Sequence, residues 1–139
     1  MGTYRRTAII ETKSEGDIVD ITEMVEEVIA ASGLRQGVAL TFTPHSTAAV
    51  VTLENESGLL EDLSRAMERN FPAGIEYQHH LRWDDGNGHS HIRSTFLGAS
   101  VSLPFDAGKL ERGRWQQVAL LELDVQGRRR EIIVQLLGE

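Results

Sequence analysis

The sequence has no cysteine, which removes both a disulfide framework and any metal site built on thiolates. It also lacks a basic excess. Asp and Glu number 21 against 14 Lys and Arg, a formal charge of −7 at neutral pH, so a domain that grips nucleic acid by neutralising phosphates is not expected. No run of about 18 to 20 apolar residues occurs, so no membrane-spanning helix is expected. The opening MGTYRRTAII has no signal-peptide core, and Arg6 stands where a myristoylation signal wants Ser or Thr. A soluble, cytoplasmic protein is the expectation. Repeats, low-complexity tracts and linkers are missing, and so are the P-loop, GxGxxG, GxSxG and HExxH patterns. Nucleotide cradles and the familiar hydrolase motifs therefore find no support.

What is present suits one domain over residues 1–139, with 40% hydrophobic residues and enough chain to bury roughly 60 to 70% of its surface without staples. Thr7–Thr12 and Gly16–Ile21 read as short strands joined by the turn residues Ser14 to Gly16. Thr22 precedes EMVEEVIAASG, in which Met24, Val25, Val28 and Ile29 recur at helical spacing and Gly33 marks the stop. Val38–Thr43 and Thr47–Leu53 are strand-like, with Pro44, His45 and Ser46 breaking the run, so His45 is expected at a turn or bulge. Ser57–Phe71 carries apolar residues at 59, 60, 63, 67 and 71, an amphipathic helix ended by Pro72 and Gly74. Ile75–Gly88 reads as a long irregular loop of the kind that carries function. His89–Leu97 fits either a short helix capped by Asn87 or a strand. Ala99–Phe105, Gln116–Asp124 and Arg130–Leu137 supply three late strands, with Gln126-Gly127 as a hairpin turn between the last two. The sum is an α+β domain, about seven strands with two or three helices, in which hairpins predominate.

All five histidines, at 45, 79, 80, 89 and 91, fall in one third of the chain. Neutral imidazole is the commonest nitrogen ligand for zinc, although loop histidines are as readily plain solvated side chains. On a strand, His89 and His91 would share a face. On a helix they would sit about 200° apart, leaving a His91–Ser94 site and a peripheral His89. Glu54, Asn55 and Glu56 lie between a strand and a helix, where they either act on a bound group or cap the helix. Glu122 alternates onto the face of Val118 and Leu120, which favours a buried functional acid over a solvent-facing one. Arg128, Arg129 and Arg130 form a basic run, with Arg82, Arg93 and Lys109 elsewhere, and a phosphate ligand would call on some of these. Trp115 reads as a core residue sooner than as an aromatic wall.

Several blocks in this order resemble the YjbQ family, also known as UPF0047 and labelled secondary thiamine-phosphate synthase. They are TPHSTAAV at 43–50, Glu54-Asn55, Tyr77 with His79, NGHSHIRSTFLGASVSLP at 87–104, Gly108, GRWQ at 113–116, Glu122, and Arg130 through the terminal LLGE. The resemblance implies a sandwich-like α+β fold of mainly antiparallel strands, assembled as a homotrimer with its site near subunit contacts. It implies a divalent metal, zinc first, held by His45, His79 and His91. Of these His45 doubles as a catalytic imidazole, beside Glu54, Asn55, Ser94, Gln116 and Glu122. Apart from the resemblance, Arg93 and Arg130 are the arginines expected to bind the substrate, since guanidinium offers paired donors and a fixed charge. The chain departs from the common pattern at His80, where Asp is usual, and at Leu53, where Asn is. The reaction implied joins an aminopyrimidine diphosphate to a thiazole phosphate and releases pyrophosphate. The alternatives are a metal-assisted hydrolase of a small phosphorylated or acyl substrate, and a non-catalytic trimer that binds a metal or small ligand.

Overall fold

A computed structural model describes residues 1–139. The elements run β1 (Gly2–Glu11), β2 (Ile18–Asp20), α1 (Thr22–Ser32), β3 (Gly37–Phe42), β4 (Ala48–Leu53), α2 (Ser57–Asn70), α3 (Gln78–Trp83), α4 (Gly88–Leu97), β5 (Ser100–Asp106), β6 (Lys109–Leu110), β7 (Gln117–Glu122) and β8 (Arg129–Gly138). The strands form two antiparallel sheets, one ordered β1-β8-β3-β5-β6 and one ordered β2-β7-β4. The α+β, two-sheet expectation therefore holds, with eight strands and four helices. The main core joins Val25, Val28 and Ile29 of α1 to Val50, Val118 and Leu120 of the smaller sheet and Ile132, Val134 and Leu136 of β8. Spacing of three and four residues puts the α1 members on one stripe, and Gly33 ends the helix in the left-handed region at φ 74°. In β7, Val118 and Leu120 enter this core while Ala119 and Leu121 join a second cluster on the opposite face.

The expected hairpins do not predominate. Only β5 and β6 are neighbours both along the chain and within a sheet. The pairs β1 and β2, β3 and β4, and β7 and β8 each divide between the two sheets, so Gln126-Gly127 is part of a crossing link and not a hairpin turn. Alternation of apolar residues fixes which face of a strand is buried, but a short link across a sandwich satisfies that pattern as well as a turn within a sheet does. Three crossing links, residues 12–17, 43–47 and 123–128, meet at one end of the sandwich, because Ala48 is opposite Glu122, Ile18 opposite Leu121, and Glu11 opposite Arg129. Two further corrections concern local structure. The stretch read as irregular, 75–88, contains the six-residue helix α3. Trp115 is 62% exposed, with the Arg114 guanidinium 5.0 Å from its ring centre, because it lies in the link before β7 and not within the strand.

At the far end of the larger sheet, Gly37 of β3 pairs with Gly138 of β8. A Cβ on Gly37 would meet the Leu137 carbonyl oxygen at 2.1 Å, a backbone contact that no rotamer change relieves. Gly37→Ala is expected to destabilise the protein by about 1–3 kcal/mol in urea denaturation. Gly74→Ala, where nothing lies within 4 Å, should change stability by less than about 0.5 kcal/mol.

Candidate functional site

The crossing links build an open pocket of about 380 Å³ whose walls are polar apart from Pro44. His45, Ser46 and Thr47 come from the β3–β4 link, Asp124 and Arg128 from the β7–β8 link, Arg130 from the start of β8, and Asn87 and His91 from α4 and its cap. Loops positioned by a rigid sheet are the usual setting for binding chemistry.

Beneath the pocket lies a closed ion network. Arg130 and Glu122, 2% and 0% exposed, form a two-pronged pair: Arg130 Nε donates to Glu122 Oε1 at 2.9 Å and Nη2 donates to Oε2. Thr12 Oγ1 donates to Glu122 Oε1 at 2.6 Å, and the Asp124 N–H donates to Oε2 at 3.0 Å. The Arg130 Nη2 also reaches the Thr47 carbonyl and hydroxyl oxygens. Thr47 Oγ1 in turn donates to Asp124 Oδ2, which accepts from Arg128 Nε at 2.8 Å as well. With every lone pair engaged, the buried carboxylate is held rigidly in place.

Burial alone would raise the Asp124 carboxyl, but hydrogen bonds from the Val125 N–H, Thr47, Arg128 and Asn87 outweigh it and hold the group below its ordinary range. A depressed folded value means the stabilisation is present above the unfolded value and is lost as pH falls through the folded one. Asp124→Asn should therefore flatten the fall in stability below about pH 4, measured as urea midpoints against pH.

The histidines divide by role. His45 Nε2 accepts from the Glu131 N–H at 3.0 Å, which fixes the ring orientation and leaves Nδ1 for a ligand. Burial and then the nearby Arg130 charge lower its pKa. His91 is lowered by burial and then by His79, whose ring centre lies 4.3 Å away. Both pocket imidazoles are thus held neutral at pH 7, able to donate and to accept. His79 Nδ1 is 3.4 Å from Asp85 Oδ1. His80 accepts the Gly88 N–H at 3.0 Å and so braces the entry to α4. His89 is not peripheral. It is 2% exposed, and its Nε2 lies 2.6 Å from Glu15 Oε1.

The structure brings together His45, His91, Arg130 and Glu122, with His79 against His91, and sets the other predicted residues apart. Ser94 is buried and donates to the Ala48 carbonyl at 2.7 Å, tying α4 to β4. Arg93 faces away from the pocket and donates to the Phe71 carbonyl and to Glu68, capping the end of α2. Glu54 and Asn55 lie beyond the opposite end of β4, roughly 20 Å from His45 at strand rise. Gln116 closes a tight turn by accepting the Gly113 N–H. Reading the sequence missed Thr47, Asn87 and Asp124 and left Arg128 unassigned. The usable signal was position, since each stands where a strand or helix begins or ends beside a histidine or arginine already singled out.

Zinc asks for ligands converging at about 2.0–2.1 Å from imidazole nitrogens. No group of three His, Asp or Glu side chains in the chain is arranged to hold an ion. The Nε2 of His45 is committed to Glu131, and His79 and His91 pack ring against ring with 36° between their planes. The residues of a single chain do not fit a resident zinc.

Similarity to known proteins agrees with this framework. A profile described as "UPF0047 protein YjbQ-like" matches residues 6–139. A UPF0047 protein of Archaeoglobus fulgidus is 40% identical over 124 residues, covering 89% of this chain and 94% of that protein. One from Methanothermobacter thermautotrophicus is 36% identical, covering 100% and 95%. Among solved structures, a YbjQ-like protein of unknown function from Sulfolobus solfataricus superposes with a TM-score of 0.91 at 38% identity, covering 99% of each chain. A hypothetical protein from Aeropyrum pernix gives 0.88 at 31%, covering 100% of each. With the histidine blocks and the sandwich both accounted for along nearly its whole length, the chain belongs to the UPF0047, YjbQ-like family.

Proposed function

We propose that the polar pocket binds the phosphate or diphosphate of a small molecule and that its chemistry is group transfer, with thiamine phosphate formation as the reaction. The observation that carries this reading is the convergence of His45, His91, Arg128 and Arg130 on one polar pocket. Arg128 is bonded through Nε alone, so both its Nη groups are free to grip phosphate oxygens. In the reaction, the thiazole nitrogen attacks the pyrimidine methylene carbon, the carbon–oxygen bond to diphosphate breaks, and pyrophosphate carries away the electron pair. The physical demand is stabilisation of charge on the departing diphosphate, which Arg128 and neutral donors on His45 and His91 meet. Glu122 and Asp124 hold the arginines in place and do not touch the substrate.

A homotrimer in the cytoplasm and a divalent metal, zinc first, belong to the reading through the family resemblance. Such an ion would need donors from water, substrate or a neighbouring subunit to complete its shell. The test is to incubate the purified protein with both precursors, with and without added zinc, and assay thiamine phosphate. Product is expected, and it should drop at least about tenfold in His91→Ala. If pyrophosphate binds but no product forms under either condition, the transferase reading fails. Release of inorganic phosphate from the single precursors would then favour the hydrolase.

A further inference from the structure

We propose that a cavity beneath α2, separate from the polar pocket, is a second binding site, and that it takes a primary ammonium carried on a short apolar chain. Helix α2 is amphipathic, yet none of its 14 residues is buried. Leu63 packs against the cluster of Ala119, Leu121 and Leu123, and beside that contact Leu60, Leu63 and Met67 line, with Leu121 and Leu123, a cavity of about 60 Å³ that close packing would ordinarily fill. That is more than a single water needs and suits a short aliphatic chain, not a fused ring.

The wall is not wholly apolar, and its charges choose the ligand. Arg93, Glu122 and Glu15 line the cavity. Arg93 is matched by Glu68 at 3.1 Å and by the Phe71 carbonyl, and Glu122 by Arg130. Glu15 is different. Its one hydrogen-bonding partner is His89, 2.6 Å away through one oxygen, and its second oxygen remains an acceptor. With 37% of its side chain exposed, Glu15 stands where a charged head can stay near water while an aliphatic tail enters between α2 and β7. A carboxylate only accepts, so His89 presents an Nε2–H to it and fixes the carboxylate in place. An ammonium head satisfies the free oxygen, whereas a carboxylate head would meet Glu15 with like charge.

The test is a methyl NMR titration of the full-length protein with n-butylammonium chloride, with sodium butyrate and butanol as comparisons. Saturable shifts confined to the methyls of Leu60, Leu63, Met67, Leu121 and Leu123 are expected for butylammonium, with butyrate at least tenfold weaker. Glu15→Gln should weaken butylammonium at least tenfold, and Leu63→Trp should remove the shifts by filling the space. Glu15→Gln carries the test alone if the filled variant does not fold. Shifts that do not saturate, equal binding of butyrate, or unchanged affinity in Glu15→Gln would overturn the proposal.

Discussion

Glu122→Ala is expected to destabilise the folded protein by about 3–5 kcal/mol, a fifth or more of the stability of an ordinary domain. The cause is the charge left behind. Arg130 is 2% exposed, and without Glu122 its guanidinium keeps only Thr47 as a hydrogen-bonding partner. The buried Asp124 N–H loses its Oε2 acceptor at the same time, and a buried donor without a partner costs about 1–3 kcal/mol. Replacing both partners, as Glu122→Leu with Arg130→Met, removes the stranded charge and should cost less than Glu122→Ala alone. Guanidinium unfolding of Glu122→Leu, Arg130→Met and the double variant completes the cycle. A loss below about 1 kcal/mol in Glu122→Ala would mean that the pair behaves as a surface ion pair.

Arg128→Ala should do the reverse, sparing the fold and impairing the site. Its side chain is 43% exposed and pairs with Asp124, so the stability cost is expected to stay under about 1 kcal/mol. Its free Nη donors are the groups assigned to phosphate, and losing charge-assisted hydrogen bonds worth about 1.5–3 kcal/mol lowers affinity for inorganic pyrophosphate roughly tenfold to a hundredfold. Arg129→Ala is the comparison. That residue is exposed on β8 and is not among the pocket residues, so affinity should be unchanged. Isothermal titration separates the outcomes. Equal losses in both variants would reduce the arginine contribution to general charge.

The sequence made the elements legible wherever one residue pattern dominates, as in α1, α2 and the late strands. It also made Glu122 legible, because an acid alternating onto the Val118 and Leu120 face can only be buried with a partner or be misplaced. The pairing of strands was not legible, and the site depends on it. His45, Asp124 and Arg128 sit in links that a hairpin reading confines to separate turns. They meet because β3–β4 and β7–β8 each cross from one sheet to the other at the same end. The same cause explains the misplaced residues. Glu54 and Asn55 follow β4 where His45 precedes it, so the length of the strand separates groups only nine residues apart. On α4, His89 and Arg93 are four residues apart and share the inward face, while His91 points to the pocket. Helical spacing supplied that division, but not which side faces the site.

The most direct test of a phosphate-binding pocket is histidine-selective NMR during titration with inorganic pyrophosphate. The imidazole signals of His45 and His91 should move together and saturate, while those of His80 and His89, engaged with Gly88 and Glu15, stay in place. Signals that remain unmoved at His45 and His91, or that move only at His80 and His89, would contradict the account.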